Sequence, residues 1–454
     1  MNIEELKHKK IALLGFGIEN QSVANFFDQN QISYTVFDSD PSISLQNYCL
    51  MLRSHLGPNY LETLPEFELI FRTPGFSPID QAIQKAKNCG ALVTSQTQLF
   101  FDLCPGNVIG ITGTKGKGTT TKILECLLHH TSEKSVFVGG NIGIPPVSFL
   151  DQIERDDNVI LELSSFQLQD LNRSPHIAVL LAVGVDHLDY HADKNEYIEA
   201  KTNIVRKQTE KDFLIVNEDC ITAKKIAKRS RAQILRFSLE KKIDGVGVWL
   251  EGNEVYVRGY NDCIEKICTT DTLRLKGRHN WQNACAAIAS SLALNCAPIA
   301  IGKAISHVTG LPHRLEKIDI NSTFNYFNDS LATTPDATIA AINSFEDPVV
   351  LIAGGASKGG DFSTLGHTCA HSSIRAAILI GEEAEKIRKA LADSEYAGPV
   401  LLTGTNFAQA VKMARQHAHP GDTILLSPAC ASFDMFKNYA ERGKMFENLC
   451  RQDS

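Results

Sequence analysis

Short apolar runs alternate with helix-period segments along almost the whole chain, the pattern expected of parallel sheets covered on both faces by helices. The alternation starts three times. Residues 9 to about 104 open with KIALLGFGIENQSVANFFDQN, which reads as a strand, a glycine turn and an amphipathic helix, followed by the strand SYTVFDSD. Residues 105 to about 311 begin at CPGNVIGITGTKGKGTTT and contain the strands NVILEL, HIAVLLAV and DFLIVN. Within them, the stretch from about 235 to 275 is rich in Val, Tyr and Trp and predicts a small antiparallel insertion. From about 312 the strands PVVLIAGG, AAILIGE, PVLLTG and DTILLSPA follow, with helices between them. GLPHRLE, with Gly310 and Pro312, predicts a hinge before this last part. The pattern gives an α/β chain of three domains, 1–104, 105–311 and 312–454.

Composition narrows the function. The 454 residues are 43% hydrophobic and 21% charged, near globular averages, so a large core can be buried. A net charge of -7 with no long basic block argues against a nucleic-acid or anionic-membrane partner. IAVLLAVGV, from Ile177, is about half a membrane span, and MNIEELKHKKIALLGFG lacks the apolar segment of a signal peptide; both predict a cytoplasmic protein without membrane insertion. Twelve cysteines without metal-type spacing, several in apolar stretches (Cys104, Cys126, Cys285), predict reduced and mostly buried thiols.

Two glycine sites invite a phosphate. In GFGIEN, Gly15 and Gly17 follow a strand and Asp38 stands where a ribose-binding acid would be, but Asn20 replaces the third glycine of the dinucleotide pattern. NAD and an ordinary tight turn both remain open there. In VIGITGTKGKGTTTKILECLLHH, Gly113 and Gly116 let backbone N–H groups approach phosphate oxygens. Lys117 reaches the outer phosphates, and a helix from about Thr119 directs its N-terminus at the anion. That suits ATP or GTP, although Ile111 replaces the first glycine of a P-loop and Gly118 the hydroxyl residue that normally meets magnesium. Downstream, Glu162 with Ser164 and Ser165, and Asp186, His187, Asp189 and His191, fall at predicted strand ends, where open parallel sheets bind ligands. A carboxylate such as Glu162 suits magnesium; His187 taken alone reads more readily as structural.

TGTKGKGTT, LELSSFQL, GRHNWQNACAA, GLPHRLE, NDSLATTPDA, AGGASKGGDF and LLSPACASFDMFKNYAERG stand in the order and spacing of the Mur ligases, which the chain resembles over nearly its whole length. The last three are most similar to the members that add D-glutamate. The resemblance implies a Rossmann-like N-terminal domain for the UDP part of the substrate, a central P-loop-type ATPase domain and a Rossmann-like C-terminal domain that brings the amino acid. It implies an ATP-dependent amide ligase of peptidoglycan synthesis, working as a monomer with ATP and Mg2+ on UDP-N-acetylmuramoyl-L-alanine and D-glutamate.

Residue by residue, it places Ile18, Asp38, Ser39, Thr73, Pro74, Gly75 and Asn141 around the UDP substrate. Gly113, Thr114, Lys115, Gly116, Lys117, Gly118, Thr119, Asn283, Arg314 and Asp329 fall around ATP, and Thr333, Lys358, Ser432 and Tyr439 around D-glutamate. Glu162, His187, a carbamylated Lys201 and Thr119 form the implied metal set, and Lys117, His187, Lys201 and Asp329 the catalytic one. Without that context Lys201 reads as a solvated helix lysine, Ser432 as a helix cap and Tyr439 as a core aromatic. Asp40, Leu331 and Thr334 depart from the pattern, where a basic residue, Lys and Asn, in that order, are expected in relatives. Another Mur-type ligase, a folylpolyglutamate-type ligase and a catalytically silent nucleotide-binding relative are the alternatives. The C-terminal motif and the UDP-type first domain argue against the folylpolyglutamate type, and the retained Lys117, Glu162, His187, Lys201 and Lys358 against the silent relative.

Overall fold

Each repeat of the alternation builds one sheet in the computed structural model, which describes residues 1–77, 79–184, 193–273, 277–308, 312–357 and 360–452. The first sheet holds β1 (Ile11–Leu14), β2 (Tyr34–Asp38), β3 (Met51–Leu56), β4 (Leu69–Arg72) and β5 (Leu92–Thr94). All its pairs are parallel, in the order β3-β2-β1-β4-β5. The chain therefore changes direction of travel beside β1, and the carboxyl ends of β1 and β4 flank the crevice where such sheets take ligands.

The second sheet holds β6 (Asn107–Thr112), β7 (Val136–Gly140), β8 (Asn158–Glu162), β9 (Ile177–Leu180), β10 (Phe213–Asn217), β11 (Gln233–Ser238), β12 (Gly247–Glu251), β13 (Glu254–Arg258) and β14 (Ile264–Thr269). Its order is β14-β13-β12-β11-β10-β9-β6-β8-β7. The predicted antiparallel stretch exists, but β12 pairs parallel with β11, so the meander β12 to β14 extends the central sheet instead of standing apart as an insertion. β6 lies between β9 and β8, which makes its carboxyl end the switch point of this sheet.

The third sheet, β15 (Glu316–Ile318), β16 (Asn325–Asn328), β17 (Val349–Gly354), β18 (Ile374–Ile380), β19 (Val400–Leu402) and β20 (Thr423–Leu426), runs in the order β15-β16-β20-β17-β18-β19. Only β15 is antiparallel. Along β17 the side chains alternate between two cores. Leu351 joins Phe327 and Leu379 on one face, and Ile352 joins Tyr326 and Phe446 on the other. This period of two across a strand buried on both faces is why the run VVLIAG is continuously apolar.

The chain divides into two compact units. Met1–Thr272 with Gln282–Val308 carries the first two sheets; Leu273–Trp281 with Thr309–Ser454 carries the third. In the first unit one apolar cluster runs from Phe27 and Phe71 of the first sheet region to Leu161 and Leu180 of the second, so these two sheets share a core. All twelve cysteines are free thiols, but only Cys268, Cys285, Cys369, Cys430 and Cys450 are buried, so the expectation of mostly buried thiols is too strong. Cys104 and Cys126 are half-buried. Among the described residues no helix is long and apolar enough to cross a membrane.

Candidate active site

β6 leads into the loop Gly113 to Gly116, and the helix Lys117–Thr131 starts two residues ahead of the expected Thr119. Gly116 caps it at φ +90°, where L side chains are strained, and a Cβ there would overlap Oδ1 of buried Asn283. At Gly113 a Cβ would come within 2.7 Å of Leu181 Cβ. Thr114 fixes the loop from β9: its N–H donates to Ala182 O at 2.8 Å and its Oγ1 accepts from Gly184 N at 2.8 Å. Lys117 Nζ donates to Gly113 O and Thr114 O, both at 3.2 Å, so the lysine lies across the loop it follows. Lys115 is exposed. The N–H groups of the helix start, a cation and two glycines together form an anion cradle.

The chemistry of neighbouring side chains fits a magnesium ion beside that cradle. Glu162, at the end of β8, is buried, and Asn141 Nδ2 donates to its Oε1 at 2.9 Å. The carboxylate is thus met by a neutral donor, which leaves its charge available to a hard cation. In the first helical turn, Thr119 Oγ1 is buried with no hydrogen-bond partner among the described residues, as are the hydroxyls of Thr120 and Thr121. Gly118 adds no ligand, so Thr119 is the first hydroxyl after Lys117. Lys201, on the helix Lys194–Arg206, is 1% exposed, which rules out the solvated reading. Its Nζ donates to Gly113 O at 3.1 Å and Thr112 Oγ1 at 3.3 Å and lies 4.7 Å from the Tyr197 ring centre. His187, with Asp186, Asp189 and His191, lies outside the described residues.

In the first sheet, Asp38 Oδ2 accepts from Phe16 N at 2.6 Å, so the acid caps the glycine turn itself. Gly15, at φ +78°, lets Thr73 close in: a Cβ would come 2.5 Å from Thr73 Oγ1. Asn20 donates through Nδ2 to the carbonyls of Leu14, Gly15 and Phe71, a clamp that explains why this position is not the expected glycine. Ile18, Ser39, Gly75 and Asn141 are exposed, and Thr73 and Pro74 half-buried, around the ends of β1, β2, β4 and β7.

In the second unit, Asp329 follows β16. Its Oδ1 accepts from Leu315 N at 3.1 Å and its Oδ2 from Ser427 Oγ at 2.7 Å. Burial pushes its pKa up to about 7, against the opposing pull of those two hydrogen bonds and of Arg314. Half-buried Thr333 is on the same loop. An antiparallel bridge between Ala356 and Ala431 joins the loop after β17 to the one that carries buried Ser432. Lys358 lies outside the described residues. Tyr439 starts the helix Tyr439–Arg451 and is 42% exposed, too much for a core aromatic; the cap of that helix is Asn438, not Ser432.

Two buried arginines escaped the sequence reading. Arg72, at the end of β4, pairs with Asp170 at 2.5 Å, and Arg442 hydrogen-bonds the loops beside Asp329 and Ser432. A signal existed for Arg442: it shares the i, i+4, i+8 stripe of Phe446 and Cys450, the buried face of its helix.

Comparison with known proteins gives a consistent set of likenesses. Residues 9–95 match the family model for the Mur ligase MurD-like N-terminal domain, residues 111–291 the Mur ligase middle domain, and residues 313–430 the Mur ligase glutamate ligase domain. The chain is 36% identical over 453 residues, 98% of its length and 97% of the relative's, to a UDP-N-acetylmuramoylalanine–D-glutamate ligase of Clostridium tetani. It is 37% identical over 448 residues, 97% of either chain, to that of Symbiobacterium thermophilum. Among solved structures, MurF from Acinetobacter baumannii aligns with a TM-score of 0.60 at 17% identity, covering 99% of this chain and 92% of that one. MurC from Thermotoga maritima aligns at 0.59 and 16%, covering 98% and 100%. MurF from Thermotoga maritima, solved with ADP, aligns at 0.57 and 16%, covering 100% and 97%; these three likenesses speak for the fold.

Proposed function

This chain belongs to the Mur ligase family, and from that premise we infer that it is an ATP-dependent ligase joining D-glutamate to UDP-N-acetylmuramoyl-L-alanine in peptidoglycan synthesis. The observation that carries the inference is likeness over 98% of the chain to ligases named for that addition. The phosphate cradle from Gly113 to Lys117 supports its nucleotide half.

An ionised carboxylate is a poor electrophile. The L-alanyl carboxylate oxygen therefore attacks the γ-phosphorus of ATP while the bond to the bridging oxygen breaks, giving an acyl phosphate and ADP. The D-glutamate amine, having lost a proton, then attacks the carbonyl carbon. The tetrahedral intermediate collapses by breaking its bond to the phosphate oxygen, leaving the amide and inorganic phosphate. Lys117 and the backbone donors of the helix start hold the negative charge in place throughout. Bound magnesium neutralises phosphate charge during the transfer. Glu162, His187, Lys201 as a carbamate and, more loosely, Thr119 would hold it.

Ile18, Asp38, Ser39, Thr73, Pro74, Gly75 and Asn141 take the UDP substrate, and Thr333, Lys358, Ser432 and Tyr439 the D-glutamate. Gly113, Thr114, Lys115, Gly116, Gly118 and Thr119 line the phosphates, while Asn283, Arg314 and Asp329 complete the nucleotide site. Domains of 1–104, 105–311 and 312–454, a monomer and a cytoplasmic setting belong to the same reading. The test is phosphate release with ATP and UDP-N-acetylmuramoyl-L-alanine while D-glutamate, L-glutamate and other amino acids are supplied in turn. Release that depends on D-glutamate alone supports the reading; indifference to the amino acid, or a preference for another, overturns it.

A further inference from the structure

Arg442 has no part in the mechanism above, yet it is 0% exposed and each of its three guanidinium nitrogens makes a hydrogen bond. Its Nε donates to Ser330 Oγ at 3.0 Å, its Nη2 to Ser330 O at 2.9 Å and Cys430 O at 3.2 Å, and its Nη1 to Ala431 O at 3.0 Å. Ser330 Oγ in turn donates to Tyr439 O at 2.8 Å, at the start of the helix that carries the arginine. Three segments meet at one guanidinium. Ser330 follows Asp329 and leads to Thr333, Ala431 precedes Ser432, and Tyr439 is itself assigned to the amino acid.

The partners are carbonyls and a hydroxyl, all neutral; none of these bonds goes to a carboxylate. Asp434 acts on the cation only through its charge. A buried cation without a hydrogen-bonded counter-ion is costly, and a core helix position would be served more cheaply by an apolar residue. Space has also been made for it: Gly355, at φ +138°, would bring a Cβ within 3.2 Å of Nη1 and onto Ala431 O. The planar fork fixes its donors at set angles, so one side chain determines how far the Asp329–Thr333 loop stands from the Cys430–Ser432 loop.

We propose that Arg442 is a positioning residue for the amino-acid substrate, clamping Ser330 to Cys430 and Ala431 so that Thr333 and Ser432 are held at the spacing D-glutamate needs. The proposal rests on the D-glutamate reading of this site. Arg442 sets the KM for the amino acid without touching it, and has no such hold on ATP or the UDP substrate.

The experiment measures all three KM values in the full-length protein for the wild type, Arg442→Lys, Arg442→Ala and Ser330→Ala. Losing several charge-assisted hydrogen bonds should raise the D-glutamate KM of Arg442→Ala by about tenfold or more, with the other two KM values within about twofold of wild type. Arg442→Lys keeps the charge but not the fork and should recover only part of the loss. Guanidinium chloride at low, non-denaturing concentration should refill the cavity of Arg442→Ala and lower its D-glutamate KM, leaving the wild type unchanged. Ser330→Ala should raise the same KM more mildly, which tests the clamp even where Arg442→Ala folds poorly. A wild type that ligates no D-glutamate overturns the functional reading and this proposal together. A wild type that does, with variants whose D-glutamate KM is unmoved, whose three KM values rise in step, or whose defect guanidinium leaves in place, overturns the proposal alone.

Discussion

Gly116 and Gly118 flank the same lysine but carry different constraints. Gly116 sits in the left-handed region with Asn283 against the place a Cβ would fill, whereas Gly118 lies inside a helix. The left-handed conformation alone costs an L residue roughly 1–2 kcal/mol, before the overlap is counted. Gly116→Ala should therefore weaken binding of a non-hydrolysable ATP analogue by about tenfold or more, measured by calorimetry, while Gly118→Ser binds it nearly as the wild type does. Equal affinities for the two variants would remove the steric argument. Asp329 makes a second prediction at this scale. Its pKa is raised to about 7 from 3.8, so the folded chain keeps a proton that the unfolded chain has already released. Stability tied to this group is full below about pH 4 and is lost as the pH rises towards 7, on the order of 4 kcal/mol as an upper bound. Relative to Asp329→Asn, the wild type should lose melting temperature between pH 5 and pH 8. A difference that is constant with pH would mean that Asp329 is not held protonated by burial.

Between single residues and domains, the short helix Ser165–Gln169 is the most constrained element near Glu162. A capping box with Ser164 orients Gln167, whose Nε2 donates to Glu19 Oε1 at 2.9 Å, and its C-cap Asp170 pairs with buried Arg72. Glu19 belongs to the helix Ile18–Gln29 that follows the glycine turn, so the element after Glu162 is pinned at both ends by the first sheet region. Removing one member of a buried pair leaves the other charge stranded, which costs about 3–5 kcal/mol, whereas replacing both by apolar groups is often nearly neutral. Arg72→Met should accordingly lower the urea midpoint strongly, and Arg72→Met with Asp170→Leu should regain most of it. A double variant as unstable as the two single losses added together would deny the pairing its role. The elements that hold this helix were only partly legible in sequence. Strands buried on both faces, such as β1, β8, β9 and β17, announce themselves as continuous apolar runs. The edge strands β3, β5 and β15 bury one face at most and include stretches such as MLRSHL and EKI, while β4 and β16 are four residues long with a polar end. The phosphate loop was legible because glycine and lysine spacing reflects backbone geometry directly. Lys201 was legible only through the resemblance and Arg442 only through the stripe it shares with Phe446 and Cys450, because a lysine or arginine on a helix otherwise looks the same in sequence whether it faces solvent or a buried loop.

For the molecule as a whole, the division into two units bears on how a single nucleotide can be served. Lys117 and Asn283 belong to the first unit and Arg314 and Asp329 to the second, and the proposed function gives all four to ATP. On those proposed roles, ATP must favour, by its differential affinity, whichever state offers it both sets of residues. The UDP substrate and the amino acid divide in the same way, since Asp38 and Thr73 are in the first unit and Thr333 and Ser432 in the second. The acyl phosphate of the proposed reaction must also be kept from water, because an activated carboxyl left open to it is hydrolysed before an amine reaches it. One pair of fluorophores, carried by non-canonical amino acids in place of exposed Ile221 of the first unit and exposed Leu402 of the second because the exposed thiols of Cys49, Cys89 and Cys263 would also take a cysteine dye, can follow the distance between them. A non-hydrolysable ATP analogue with UDP-N-acetylmuramoyl-L-alanine should shift the transfer efficiency towards a narrower, single population, and D-glutamate alone should not. Lys117→Ala should blunt the shift, since it removes the first unit's hold on the phosphates. Efficiency that stays the same with every ligand combination, in a protein that ligates normally, would show that one fixed arrangement of the units suffices for the whole reaction.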